Sequence, residues 1–307
     1  AAGAFDGVID GTGGVRVSAG NQTLTGVNTY TGATTIDSGA TLTLSGSGSV
    51  AASSGVNNNG TLDISATTSG VSLASLAGTG TVALGARTLT LTNASGAFSG
   101  AFSGTGSLVK QGSGMLVING SNNAFSGTTT VDGGTLQVGD ASHGGAELGG
   151  NVAVGAQGVL GGHGTVLGNV TNGGTVSPGG SIGTLSVGGN YTQASNATLA
   201  IEVSPTAASL LKVSGSASLN GTLAITYTPG TYSATRYNVV SAANGISGRF
   251  SSVTGTLVSG ADLNGLSSSV AYGANDVALV LGIGVPGDTP VVIAPVHTSI
   301  YTALGSA

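Results

Sequence analysis

Residues 110–138 read KQGSGMLVINGSNNAFSGTTTVDGGTLQV, and residues 28–44 carry a weaker copy, NTYTGATTIDSGATLTL. Asn28, Gly32, Asp37 and Gly39 line up with Asn123, Gly127, Asp132 and Gly134, always 95 residues apart. Inside both copies an apolar residue alternates with a small polar one, and glycine closes each phrase. Period-two alternation buries one face of a strand and wets the other. Thr on the wet face adds strand propensity to solubility.

The same format runs along the whole chain. TLTLS (41–45), TLDIS (61–65), TVAL (81–84), TLTLT (88–92), TLSV (184–187), TLAIEV (198–203) and TLAITY (222–227) all read as short strands. Gly and Asn separate them, and both tolerate the positive φ that tight corners need. Gly150-Asn151-Val152, Gly168-Asn169-Val170 and Gly189-Asn190-Tyr191 recur at spacings of 18 and 21 residues. A period near 20 with several short strands per repeat predicts the coils of a parallel β-helix. Only HTSIYTALGSA, at 297–307, reads as the start of a helix.

Composition narrows the function classes. Of 307 residues, 58 are Gly and only 6% are charged, against about 7% Gly and 25% charge in ordinary domains. Hydrophobic residues make up 39%, too many and too regularly placed for a disordered linker. Glycine does not recur at every third position, as collagen requires. The six basic residues, Arg16, Arg87, Lys110, Lys212, Arg236 and Arg249, are scattered, which excludes a nucleic-acid surface. Without cysteine there is no disulfide framework. AAGAFDGVID at the start has no basic segment followed by an apolar run, so it does not read as a signal peptide. VALVLGIGV (277–285) is too short for a membrane-spanning helix.

One coil cannot stand alone. About four or five large aliphatics at roughly 1.5–3 kcal/mol each offset the backbone entropy of only about five to ten residues. Stability must come from stacking, and an open end needs a cap against edge pairing.

GTGSLVKQGSGMLVINGSNNAFSGTTTVDGGTLQVG (104–139) resembles the passenger-associated transport repeat of bacterial autotransporters. The matching positions are Gly104, Gly106, Leu108, Lys110, Gly112, Gly114, Asn123, Phe125, Gly127, Thr129, Val131, Gly134 and Leu136. The 28–44 copy is a degenerate unit, with Arg16 upstream but no Leu-x-Lys. SPGGSIGTLSVGGNYTQ (177–193), LLKVSGSASLNGTLAI (210–225), YNVVSAANGISGRFSSV (237–253) and VAYGANDVALVL (270–281) follow in that order. Together they resemble the C-terminal segment of pertactin-like passengers, the autochaperone region.

The resemblance implies an all-β fold: a right-handed parallel β-helix, or β-solenoid, with a C-terminal capping segment. It divides the chain into coils with transport repeats (1–140), further coils (141–197), an autochaperone-like cap (198–284) and a linker (285–307) toward an outer-membrane barrel. The implied role is a non-enzymatic, surface-exposed stalk of type V secretion. It would support secretion and folding, and serve adhesion or autoaggregation. Its partners would be its own barrel, host surface molecules, glycans or like molecules on neighbouring cells. The alternative is the stalk of an autotransporter protease or lipase whose catalytic domain lies upstream. Residues 198–282 hold dense apolar strands and Tyr227, Tyr232, Tyr237 and Tyr272, four of the seven tyrosines, as a stable nucleus would.

Catalytic, cofactor and metal sites are not expected. Gly179-Gly180-Ser181-Ile182-Gly183 fits the G-x-S-x-G nucleophile elbow, but that elbow needs a strand, a sharp turn and a helix. Here a strand follows, so Ser181 reads as a turn residue. His143, His163 and His297 lack ligand spacing and read as exposed corner residues. GGHGTVLGN (161–169) has Val166 where a calcium-binding nonapeptide needs Asp. Lys110 reads as structural, its ammonium reaching either solvent or a corner carbonyl.

Overall fold

A computed structural model describes residues 2–122, 124–283 and 289–294. Among them every regular element is a β-strand. The strands stack in parallel as a β-solenoid of about 11 turns. The helix expected at 297–307, and most of the linker, lie outside the described residues.

The period is clearest in the first half. Strands begin at Asn21, Thr41, Thr61, Thr81 and Ala101, and each pairs in parallel with the next. One rung is therefore 20 residues. The preceding residues Gly60, Gly80, Gly100 and Gly120 form a corner stack that carries the same count. Later rungs vary in length, because loops such as 139–146 are inserted between strands.

Alternation becomes columns when rungs stack in register. Leu42, Leu62, Val82 and Phe102 lie one above another, all fully buried. On a second face Leu116, Leu136, Leu160, Val176, Leu199, Leu223 and Val253 do the same. A third column runs Leu89, Leu108, Thr129, Val152, Val170, Tyr191 and Ala217. Strands about 4.8 Å apart leave each side chain in contact with the equivalent one above and below. Leucine, valine and isoleucine suit that narrow column. Phe98, Phe102 and Phe125 fill a wider part as a tilted stack, with ring centroids 5.0 and 6.3 Å apart.

One of the parallel ladders ends against an antiparallel hairpin, whereas the other two end in the parallel strands Ile246–Gly248 and Val292–Ala294. Thr235–Ala242 pairs antiparallel with Asp276–Gly282, which pairs antiparallel with Ser267–Tyr272. The tyrosines singled out in the sequence gather here. Tyr227 and Tyr232 meet edge to face at 5.6 Å. Tyr232 Oη donates to the Val203 and Thr228 carbonyls, and Tyr237 Oη donates to that of Pro205. Tyr227 Oη bonds Ser268 Oγ on the hairpin at 2.6 Å, and Arg249 lies over the Tyr272 ring at 4.6 Å. A reversed strand cannot extend the parallel register, so the hairpin covers the open edge of its face.

Candidate functional site

The repeat units are places where polar side chains enter the column. Asn28 is buried in the first unit. Its Oδ1 accepts the Ile9 N–H of the preceding rung, and its Nδ2 donates to the Gly26 and Ser49 carbonyls, the latter on the following rung. In the second unit the same three bonds are made by Asn122. Its Oδ1 accepts the Phe102 N–H, and its Nδ2 donates to the Gly120 and Glu147 carbonyls. The structural partner of Asn28 is thus Asn122, not the Asn123 that the 95-residue offset selects. One extra residue sits between the clasping Asn and the buried aromatic, Tyr30 in one unit and Phe125 in the other. Asn123 itself lies outside the described residues.

Beyond the aromatic the offset of 95 holds. Gly39 and Gly134 both have positive φ, 78° and 62°, the left-handed corner that favours glycine. A Cβ on Gly127 would fall inside the Gly106 carbonyl oxygen of the rung before, so that corner admits glycine alone. The aromatics differ in one atom with a consequence. Tyr30 Oη bonds Thr34 Oγ1 at 2.6 Å, and that hydroxyl donates to Ser53 Oγ at 3.0 Å. Phe125 has no hydroxyl, and Thr129, at the position of Thr34, keeps a buried Oγ1 without a partner among the described residues.

Lys110 sits in a corner column with Leu91 before it and Val131 after it. It is fully buried. Of the two expected destinations its ammonium takes the carbonyls: those of Gln111, Gly112 and, on the next rung, Gly133, at 2.9, 3.2 and 3.0 Å. Burial pulls its pKa below the usual lysine value. Farther along the same column Asn172 and Gln193 do similar work. Asn172 Nδ2 donates to Tyr191 Oη and the Thr198 carbonyl. Tyr191 Oη donates to Gln193 Oε1, whose amide donates to the Asn220 and Thr222 carbonyls. Burial pushes the Tyr191 phenol far above its ordinary pKa.

The repeated Gly-Asn phrases form an exposed ladder. Asn151 Oδ1 accepts the Asn169 N–H, Asn169 Oδ1 accepts that of Asn190, and Asn190 Oδ1 accepts that of Ser216. One strand-length beyond, Thr171, Thr192, Ser218 and Ser247 stand in register and exposed. The result is an uncharged strip of amides and hydroxyls along one corner of the shaft.

The remaining candidates are not brought together. Ser181 lies in a turn followed by the strand Thr184–Val187, and its carbonyl accepts the Ser209 hydroxyl at 3.3 Å. His163 is not the exposed corner residue expected. It is half-buried, and its Nδ1 has no partner among the described residues. Its ring packs where a Gly183 side chain would point. His143 is exposed as expected and bonds Asp140 through Nδ1 at 2.7 Å. With Asn119 also donating to it, that carboxyl is held down to about 2. His297 lies outside the described residues. Among those residues no three His, Asp or Glu side chains gather as a metal ion requires.

The two repeat units coincide with matches to the passenger-associated-transport-repeat family, at residues 15–44 and 108–138. No curated protein matches the chain. A β-solenoid that carries these repeats fits an autotransporter passenger domain. The repeat family is one of passengers secreted to the cell surface or the extracellular space.

Proposed function

We propose that this chain is the shaft of an autotransporter passenger, and that it supports export and folding and acts in adhesion or autoaggregation. The observation that carries the reading is the pair of transport repeats built into the stack, each tied to its neighbours by a buried asparagine. Residues 198–284 serve as the autochaperone-like cap, and residues 285–307 lead toward an outer-membrane barrel. The shaft itself has no catalytic role. Its uncharged, repetitive exterior suits weak contacts that multiply along the axis, with host glycans and proteins or with like molecules on adjacent cells.

The test is display of the chain on a heterologous outer-membrane barrel, with and without residues 198–282. Loss of protease-resistant passenger from the surface on deletion supports the folding role; equal display and equal resistance refute it. Settling of cells that display the intact chain, or their retention on glycan and host-protein surfaces, supports the adhesive role. Absence of both removes it.

A further inference from the structure

The exposed strip along one corner carries hydrogen-bond donors that the fold fixes in place and leaves unused. Asn151, Asn169 and Asn190 each receive a backbone N–H from the next rung. A backbone N–H only donates, so each side chain must turn Oδ1 toward the next rung and Nδ2 away from it. Each Nδ2 then carries two N–H groups with no partner among the described residues. Two residues further along each strand, Thr171, Thr192, Ser218 and Ser247 stand in register and exposed. Their hydroxyls are likewise unengaged among the described residues. Both columns repeat at the rung spacing, about 4.8 Å. Neither contains a charged or an aromatic side chain.

We infer that this strip is a rail for a linear, uncharged polysaccharide of N-acetylhexosamine units, lying along the shaft axis. The inference rests on the adhesive reading above and names its ligand. Donor excess is the first reason. Every Oδ1 of the ladder is spent inside the protein, and an acetamido carbonyl accepts from an amide without needing a donor in return. Charge is the second. A uronic or sulfated chain would lose hydration here with no cation to replace it, and the protein's net charge of −5 repels it. Spacing is the third. The rings of an extended β-linked sugar chain recur at close to the rung spacing, so successive rings meet successive amides. An extended peptide rises about 3.3 Å per residue and shows the carbonyls of one side at twice that interval, out of step with the rungs. The amides are already held by the backbone, so binding orders few side chains. No aromatic ring offers a stacking platform, and affinity therefore grows with the number of rungs covered.

Titration of the intact, isotope-labelled chain with chitotriose, chitohexaose and cellohexaose tests the rail, read on the side-chain amide signals of Asn151, Asn169 and Asn190. Chitohexaose should shift all three signals and bind about tenfold tighter than chitotriose, since it engages more rungs. Cellohexaose, which lacks acetamido groups, should bind about tenfold more weakly than chitohexaose. Asn169→Asp with Asn190→Asp keeps an oxygen in the ladder and replaces both NH2 groups by acceptors; the gain with length should disappear. Thr41→Asp with Thr81→Asp, on a different sheet, carries the same added charge and should bind like the parent chain. Thr192→Val with Ser218→Ala adds no charge, removes two hydroxyls of the rail and should weaken chitohexaose several-fold. Amide signals that chitohexaose leaves unmoved overturn the inference. So does equal affinity for the two chitin oligomers, or full affinity in both rail variants. The adhesive reading is judged separately, on cells that display the chain. Retention on host-protein surfaces without chitohexaose binding overturns the rail alone, whereas loss of both settling and retention overturns the adhesive reading itself.

Discussion

Replacing Phe125 by tyrosine tests the internal homology of the two repeat units at the level of one atom. Thr129 is fully buried and its hydroxyl has no partner among the described residues. A buried unsatisfied hydroxyl costs about 1–3 kcal/mol, whereas a satisfied one contributes about 0.5–1.5 kcal/mol. In the first unit the matching pair, Tyr30 and Thr34, spans four residues and bonds at 2.6 Å. Phe125 and Thr129 span the same four residues, and both aromatic rings are buried. The added hydroxyl therefore arrives beside an acceptor already desolvated, and is itself desolvated on arrival. The gain in the Thr129 hydroxyl outweighs the cost of burying a paired phenol, and Phe125→Tyr should stabilise the protein by about 1 kcal/mol.

A double-mutant cycle isolates the bond. Thr129→Val alone removes the orphan hydroxyl and is expected to be neutral or stabilising. In the Phe125→Tyr background the same change should cost about 1–2 kcal/mol, because it orphans the new phenol. The assay is equilibrium urea unfolding followed by far-UV circular dichroism and tyrosine emission. Coincidence of the two probes shows whether the stack unfolds as one unit. A coupling energy near zero, or a destabilising Phe125→Tyr, would refute the assignment of Thr129 as the counterpart of Thr34.

Three further outcomes follow from the same contacts. Gly127→Ala forces a methyl into the Gly106 carbonyl and should cost about 3 kcal/mol or more; Gly145→Ala, where nothing lies within 4 Å, should change urea stability by less than about 0.5 kcal/mol. Lys110→Leu fits a column of Leu91 and Val131 but strips the donor from three carbonyls, so chemical unfolding should register a loss of about 1–3 kcal/mol. Burial, together with neighbouring tyrosines, raises the Tyr227 phenol to about 12, although its bond to Ser268 pulls the other way. The unfolded chain releases that proton near 10 and the folded one near 12. Its contribution is therefore complete below pH 10 and disappears as pH climbs to 12. Over that interval the native protein should lose roughly 2–3 kcal/mol more than Tyr227→Phe, measured as the shift in urea midpoint with pH.

Strand content was readable because alternation is local. TLAIEV and TLAITY need no tertiary context to declare which side faces inward, and both are buried at every second residue. The 20-residue rung left a trace in Gly60, Gly80, Gly100 and Gly120, but glycine is so common here that the series does not stand out from its background. The 95-residue offset aligns Asn28 with Asn123, and the neighbouring Asn122, chemically identical, makes the matching bonds. The bonds of Asn122 to Phe102 and Glu147, which repeat those of Asn28, are tertiary and leave no mark in the sequence. Lys110 was recognised as structural, yet its depth depends on which carbonyls converge on the corner, and that is fixed by residues 23 positions away. His163 was placed at the surface because its burial comes from the loop 179–183 folding over it, a contact that no local pattern encodes.

The buried amide and ammonium donors share a direction in their ties to other rungs, and it explains why a shaft of aliphatics contains them. Asn28 donates to Ser49, Asn58 to Thr81, Lys110 to Gly133, Asn122 to Glu147, Asn172 to Thr198, and Gln193 to Asn220 and Thr222. Each tie runs from one rung to a carbonyl of the rung that follows. The aliphatic columns cannot supply this information. A rung of Thr and Leu fits against almost any other rung of Thr and Leu, and a slip along the strand by two residues keeps every side chain on its proper face. Such a slip moves an amide or ammonium away from its carbonyl and leaves it buried and unpaired, at about 1–3 kcal/mol for a neutral group and more for the charged Lys110. The columns therefore hold the rungs together while the polar ties choose which rungs meet, and the transport repeats supply three of those ties: Asn28, Lys110 and Asn122.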